Sequence, residues 1–373
     1  MAELLGPQTI LSKALPTGTD GVYVAQWALR SGRPFMQVVQ DLALALGDFN
    51  QEMLNKWGWL FSITEEPMLE YEDGGTATEM PMITDVDKVD ARHVTTISHM
   101  VDLKVFADAI GGSKRWFRDA REAQIGVNVS GLVKRAEKRF ERWLLQRWFT
   151  NTENLILTSG YDVPFVRGGG NVAFVPPSVD GQEFTSAHDH YLGVASGTYT
   201  YADMLNQMAE TLQEHGHEPP YTALVSRADT SAYFALADFV EAVDPMIIVV
   251  DRGGATSGNQ FFRPGTREFS VIGHFQSEYG LIELRTTSRL PTAYAGLVKS
   301  YGTNDGRNPL AVRVHPDVGF GVYLVLETAD DRQYPIKQIN VEFEFGIGCG
   351  RDRTNGVAAY RSVGGTWANP TIS

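Results

Sequence analysis

The sequence predicts an α+β protein with more than one domain. Three observations carry that prediction. Helical and strand-like segments are mixed without a regular βαβ rhythm. One segment, residues 128–149, keeps an unbroken helical apolar period. The 373 residues, with 43% hydrophobic and 21% charged side chains, are ample for sizeable cores and rule out wholesale disorder. No internal repeat or low-complexity tract interrupts this pattern.

Residues 1–33 hold Gly, Thr, Pro and Ser with scattered anchors such as Val22, Val24 and Trp27, and read as an extended arm. Pro34 suits the first turn of a helix carrying Phe35, Val38, Val39, Leu42 and Leu46. Asp48 is a candidate N-cap for a second short helix with Met53, Leu54 and Trp57. Two alternating runs follow. Phe61 and Ile63 form one face of a first strand, and Thr95, Ile97, His99, Val101, Leu103 and Val105 one face of a second. The stretch between them has too few apolar residues for a core, so a long two-stranded excursion is expected. An isolated ribbon is marginal in water, so this chain or a neighbouring subunit must support it.

In residues 128–149 an apolar stripe of Leu132, Ala136, Phe140, Trp143, Leu144 and Trp148 faces inward. Lys134, Lys138 and Arg142 stack at i, i+4 on another face. Such a helix spans roughly 30 Å. Gly168–Gly170 and Pro176-Pro177 then mark a loop-rich boundary. Beyond it, Thr200 caps a helix through Glu214 that buries Met204, Met208 and Leu212. Residues 221–225 read as a strand, 230–240 as a helix and 245–250 as a buried strand. Strands are expected again over 269–275, 281–286, 294–300, 319–328 and 336–347.

Charge divides the chain more sharply than composition does. The net charge of −13 argues against a surface coated in positive potential for nucleic acid. Between residues 63 and 102 lie ten acidic residues, among them Glu65, Glu66, Glu70, Glu72 and Asp73, against only Lys88 and Arg92. From 113 to 147 ten basic residues, including Lys114, Arg115, Arg118, Lys134, Lys138 and Arg142, outnumber four acidic ones. An acidic segment followed by a basic one fits two separately solvated faces, or two surfaces that meet across an interface. The basic helix face also has the form of a phosphate-binding stripe.

Motifs for chemistry are missing. No P-loop, HExxH, GxSxG or CxxC pattern occurs. Gly346-Ile347-Gly348-Cys349-Gly350 follows a strand but opens no helix for a pyrophosphate, and reads as a glycine-bent turn between strands. Cys349, the single cysteine, allows no intramolecular disulfide and reads as a buried or semi-buried thiol. Two His-x-His pairs, His188-Asp189-His190 and His215-Gly216-His217, have the donors for zinc, with Asp189 or Glu218 nearby, but lack a spacing signature. They are expected to be surface-loop histidines. Neither a cofactor nor a catalytic residue is assigned. Residues 1–13 lack the basic and apolar regions of a secretory signal, and no stretch approaches the roughly 20 apolar residues that span a bilayer. A chain made and folded in a cytosol is expected.

The order of arm, acidic two-stranded excursion, long helix, inserted α/β unit and returning strands resembles the major capsid protein of tailed bacteriophages, the Hong Kong 97-like fold that encapsulin shells also use. The passages YGLIELRTTSRLP (279–291), KSYGTNDGRNPL (299–310) and EFGIGCGRDRTNGVAAY (344–360) are similar to passages of such proteins. The resemblance implies an N-terminal arm over 1–58 and an extended loop over 59–106 lying on a neighbouring subunit. It implies a peripheral domain from 107–159 and 326–373 with its spine helix at 128–149, and an axial domain over 160–325. It further implies a structural protein without enzymatic activity, self-assembling through pentamers and hexamers into an icosahedral shell around double-stranded DNA that it does not read. The virion is then its location and the bacterial host cytoplasm its place of assembly. Partners would be its own copies with portal, scaffolding and decoration proteins, and no membrane. About 33 residues precede the first helix, so scaffolding is expected from a separate protein or not at all. Only Lys88 lies in the acidic loop, so lysine–asparagine cross-linking between subunits is not expected. Two alternatives stand beside this: an encapsulin-like compartment around protein cargo, and a histidine-ligated metalloenzyme.

Overall fold

A computed structural model describes residues 35–73, 95–113, 116, 119, 121–153, 163–168, 174–179, 184, 188–242, 268–325 and 336–372. The arm of residues 1–33, the expected strand at 245–250, and Lys114, Arg115 and Arg118 lie outside the described residues.

A single helix, α1 (Phe35–Trp57), replaces the expected pair. Asp48 is exposed within it rather than capping a new helix. Glycine at 47 costs a helix interior about 1 kcal/mol, but Leu42, Leu46, Met53, Leu54 and Trp57 continue one buried stripe across it. Asn50 clamps the helix to the sheet below: its Nδ2 donates to Val322 O at 3.0 Å, and Val322 N donates back to its Oδ1 at 2.8 Å.

β1 (Phe61–Thr64) does not belong to the excursion. It pairs in parallel with β11 (Leu310–Arg313), because Phe61 buries fully among Phe140 and Phe320. The excursion is instead β2 (Met68–Asp73) paired antiparallel with β3 (Thr95–Met100), from Met68↔Met100 to Asp73↔Thr95. The expected second strand through Val105 is interrupted at residues 101–103. Its continuation, β4 (Lys104–Ser113), leaves the ribbon and runs along β13 (Ile336–Cys349).

The long helix, α2 (Glu122–Phe149), starts six residues earlier than its apolar stripe suggested, where Arg121 N donates to Gln124 Oε1 at 3.0 Å. Two sheets flank it. The five-stranded sheet has the order β1-β11-β13-β12, with β4 also on β13 and β12 being Val322–Val325. The seven-stranded sheet has the order β5-β14-β10-β6-β9-β8-β7. Its strands are β5 (Tyr191–Ala195), β6 (Tyr221–Ser226), β7 (Phe239–Glu241), β8 (Val271–Ser277), β9 (Gly280–Thr287), β10 (Tyr294–Val298) and β14 (Val357–Ser362). Helix α3 (Tyr201–Glu214) covers this second sheet with Met204, Met208 and Leu212 buried, as its period indicated, and Thr200 caps it. The expected helix at 230–240 stops after α4 (Thr230–Phe234), because Phe239–Glu241 instead extends the sheet edge against β8.

The sheets cut across the expected domain division. β11 and β12, from the 160–325 segment, complete the five-stranded sheet, while β14, from the C-terminal segment, sits inside the seven-stranded one. α2 ties the two together. Phe140 packs on Phe343 and Phe345 of β13 at ring distances of 5.7 and 5.3 Å. At the other end, Trp148 Nε1 donates to Val357 O of β14 at 3.3 Å. Gly296 of β10 is needed there, since a Cβ would stand 2.6 Å from the Trp148 ring. Gly346 and Gly348 lie within β13 rather than in the expected turn. A Cβ at 346 would meet Asp102 O at 1.9 Å, so the glycine lets the 101–103 crossing press onto the strand. Cys349 is fully buried at the end of β13.

Candidate functional site

Three groups of residues emerge from this frame: the ribbon base, the outer face of α2, and a buried cluster of histidines.

The ribbon is anchored to its own chain at its base. Leu69 and Val101 bury against Ala311. Tyr71 stands edge-on to Phe174 at 5.1 Å and accepts a hydrogen bond from Arg353 Nη1 at 3.1 Å. His99 lies 2.9 Å from Cys349 O through Nε2, and burial holds its imidazole down to about 4, so it is neutral and donates that bond. Of the acidic residues, Glu65 and Glu70 are exposed, whereas Glu66 pairs with Arg351 of its own chain at 2.6 Å, both side chains more than half exposed. Such an exposed pair is worth only about 0–1 kcal/mol. Glu72 and Asp73 lie on the last positions of β2.

On α2, Lys134, Lys138 and Arg142 are exposed, as their spacing indicated. Beside them Arg135 binds Asp108 of β4, its Nε 2.7 Å from Oδ2. Arg139 stacks over Phe106 at 5.3 Å. Two charges of the same segment serve the interior instead. Arg147 is buried and donates to Thr150 O at 2.7 Å. Glu141 is buried among Lys56 (2.5 Å), Trp57 Nε1 (3.3 Å) and Arg289. Burial works against the Lys56 ammonium, but its bonds to Glu137 and Glu141 hold its pKa above the usual lysine value. Sequence spacing carries no signal for this network, whose members stand 85 and 148 residues apart.

The histidines depart from expectation. His190, His215 and His217 are buried and His188 half-buried, so the surface-loop reading is wrong. The segment before β5 carries His188 and His190, and the residue closing α3 is His215. The fold brings these three together, with one ring nitrogen of each within 4.8 Å of the others. His217 stands apart, its Nε2 3.0 Å from Thr354 Oγ1 and 3.4 Å from Asp352 Oδ2, and its Nδ1 3.2 Å from Tyr301 OH. Burial lowers the pKa of all four, His190 well below the ordinary range and His215 to about 3, so the imidazoles are neutral near pH 7. The doubled His-x-His pattern was the available signal.

The sequence matches no family model and no curated protein. Solved structures do match. A chain from Mycobacterium phage Patience superposes with a TM-score of 0.61 at 21% identity, covering 91% of this chain and 91% of its own. The two chains share a fold. Two others align more loosely: the capsid structure of the cyanophage P-SCSP1u (TM-score 0.44, 10% identity, 81% of this chain and 86% of that one) and the capsid of a native GTA particle (TM-score 0.45, 9% identity, 83% and 90%). Among the described residues no helix is long and apolar enough to cross a membrane.

Proposed function

We propose that this chain is a major capsid protein that self-assembles into an icosahedral phage head enclosing double-stranded DNA. The observation that carries the proposal is the fold shared with a phage chain along nine-tenths of both sequences. The three passages that resemble Hong Kong 97-like proteins, at 279–291, 299–310 and 344–360, add to it. In this account the five-stranded sheet with α2 is the peripheral domain and α2 its spine, and the seven-stranded sheet with α3 is the axial domain that meets its copies around five- and six-fold axes. The β2–β3 ribbon is the extended loop, fixed to its own subunit at Leu69, Tyr71 and His99 and reaching a neighbour beyond them. The protein is structural, located in the virion after assembly in the host cytoplasm. Portal, scaffolding and decoration proteins are its expected partners.

The acidic ribbon and the basic face of α2 give the contact its chemistry. Glu65, Glu70, Glu72 and Asp73 offer carboxylates, and Lys134, Lys138 and Arg142, with Lys114, Arg115 and Arg118 beside them in sequence, offer cations. Glu66 contributes less, because Arg351 of its own subunit competes for it. Each exposed pair is weak, but a shell repeats the contact at every subunit and multivalency sums it.

Reversing Glu70, Glu72 and Asp73 together to lysine is expected to block assembly while leaving the subunit folded. Light scattering read beside circular dichroism checks both halves. Normal shells from the triple variant would remove the ribbon from the interface, and an unfolded subunit would make those residues part of the core.

A further inference from the structure

We infer that His188, His190 and His215 form a binding site for one divalent transition-metal ion, with zinc the first candidate. The geometry rests on a proton count. His190 Nδ1 lies 2.9 Å from Gly356 O. A carbonyl only accepts, so that nitrogen carries the hydrogen and the opposite one, Nε2, presents a lone pair. This lone pair faces His215 Nε2 at 3.0 Å, and His215 Nε2 in turn faces His188 Nε2, also at 3.0 Å.

Neutral imidazoles cannot fill both contacts well. If His215 carries its hydrogen on Nε2, that one hydrogen must be shared between two neighbours, and its Nδ1 is left as a buried lone pair. If the hydrogen is on Nδ1, the lone pairs of His215 and His190 point at each other. Among the described residues His215 Nδ1 has no hydrogen-bond partner. An extra proton would resolve the conflict only by placing a charge among rings of which His190 and His215 are buried.

A metal ion resolves it differently. All three Nε2 lone pairs then point at one cation, and neutral imidazole is the form a metal requires. Zinc–nitrogen bonds of about 2.0–2.1 Å in a tetrahedron place ligand nitrogens about 3.3 Å apart. The two 3.0 Å spacings to His215 stand close to that, and His188 and His190, whose nitrogens lie within 4.8 Å of each other, would draw together around the ion. The bond from His190 Nδ1 to Gly356 O is the outer contact that fixes a ligating ring and its tautomer. Among the described residues no fourth side chain joins the group, which leaves a coordination position for water. His215, alone of the three, also lines a cleft of about 260 Å³ with Tyr71, Phe174 and Arg353. Imidazole donors favour zinc, copper or nickel over magnesium or calcium. The ion would fasten the segment leading into β5 to the end of α3, within the seven-stranded unit.

The test uses full-length protein stripped with a chelator and titrated with Zn²⁺, and separately with Co²⁺, whose visible spectrum reports coordination. One Zn²⁺ per chain is expected, with a rise in the thermal unfolding midpoint as binding saturates and the strong visible bands of four-coordinate Co²⁺. His188→Ala and the more conservative His188→Gln, at the half-buried position, should each keep the metal-free unfolding midpoint and lose stoichiometric binding. Absence of saturable binding in the wild type would overturn the site. So would equal binding by either folded variant, or Co²⁺ bound only with the weak spectrum of a hydrated octahedral ion.

Discussion

Phe140→Ala lowers the stability of the isolated subunit by about 3–5 kcal/mol in chemical denaturation, the range for a fully buried phenylalanine whose cavity cannot close. Phe140 has no exposed surface and touches aromatic rings on every side: Phe61 and Phe320 at 5.7 Å, Phe343 at 5.7 Å and Phe345 at 5.3 Å. Those rings come from β1, the segment before β12, and β13, so the residue joins three stretches distant in sequence. Collapse around alanine would have to move the five-stranded sheet toward α2, and the far end of α2 is held by Trp148 on the other sheet. The cavity therefore persists. A loss below about 1 kcal/mol would mean that α2 does not carry the core.

The second large effect falls on charge. Glu141→Ala is expected to cost about 3 kcal/mol, the low end of the range for removing one partner of a buried ion pair. The carboxylate is 1% exposed, yet Lys56 and Arg289 each keep 22% of their side-chain surface, so both cations recover part of their hydration when it is gone. Glu137 still holds Lys56 at 2.6 Å, which limits the loss further. Trp57 Nε1 loses its acceptor as well. The companion variant separates packing from charge. Replacing Glu141 with leucine and both cations with methionine leaves only Glu137, 30% exposed, without its cation, and should lose less stability than Glu141→Ala alone, by the urea midpoint. A greater loss would show that the network contributes more than its removal by apolar packing restores.

How far the sequence reached depended on the range of the interaction. Period and capping are local, so α2, α3 and the strand character of β6, β9 and β13 were visible in the pattern of apolar residues. The join of α1 across Asp48 was not, because a favourable cap residue in the middle of a helix is outweighed by a buried stripe that continues past it. The assignment of β1 failed for a similar reason: alternation makes Phe61–Thr64 a strand but does not name its partner, 249 positions away at Leu310. The strands β5, β11 and β14 went unseen because short runs such as LAVR carry little periodicity of their own. For the candidate sites the division is the same. Lys134, Lys138 and Arg142 were readable from i, i+4 spacing, whereas the burial of Glu141 and Arg147 within the same helix came from partners that spacing does not reveal. The His-x-His spacing shows the donors but not their place, since only the packing of α3 against the segment before β5 brings His188, His190 and His215 into one cluster while His217 turns to Thr354 and Tyr301.

The central claim is that these subunits close into a shell. Electron microscopy of the purified full-length protein, alone and co-expressed with a candidate scaffolding protein, tests it most directly. Closed icosahedral particles are the predicted result, with the seven-stranded unit clustered around the five- and six-fold axes and the β2–β3 ribbon lying over an adjacent subunit. Monomers or small oligomers under every assembly condition would contradict it.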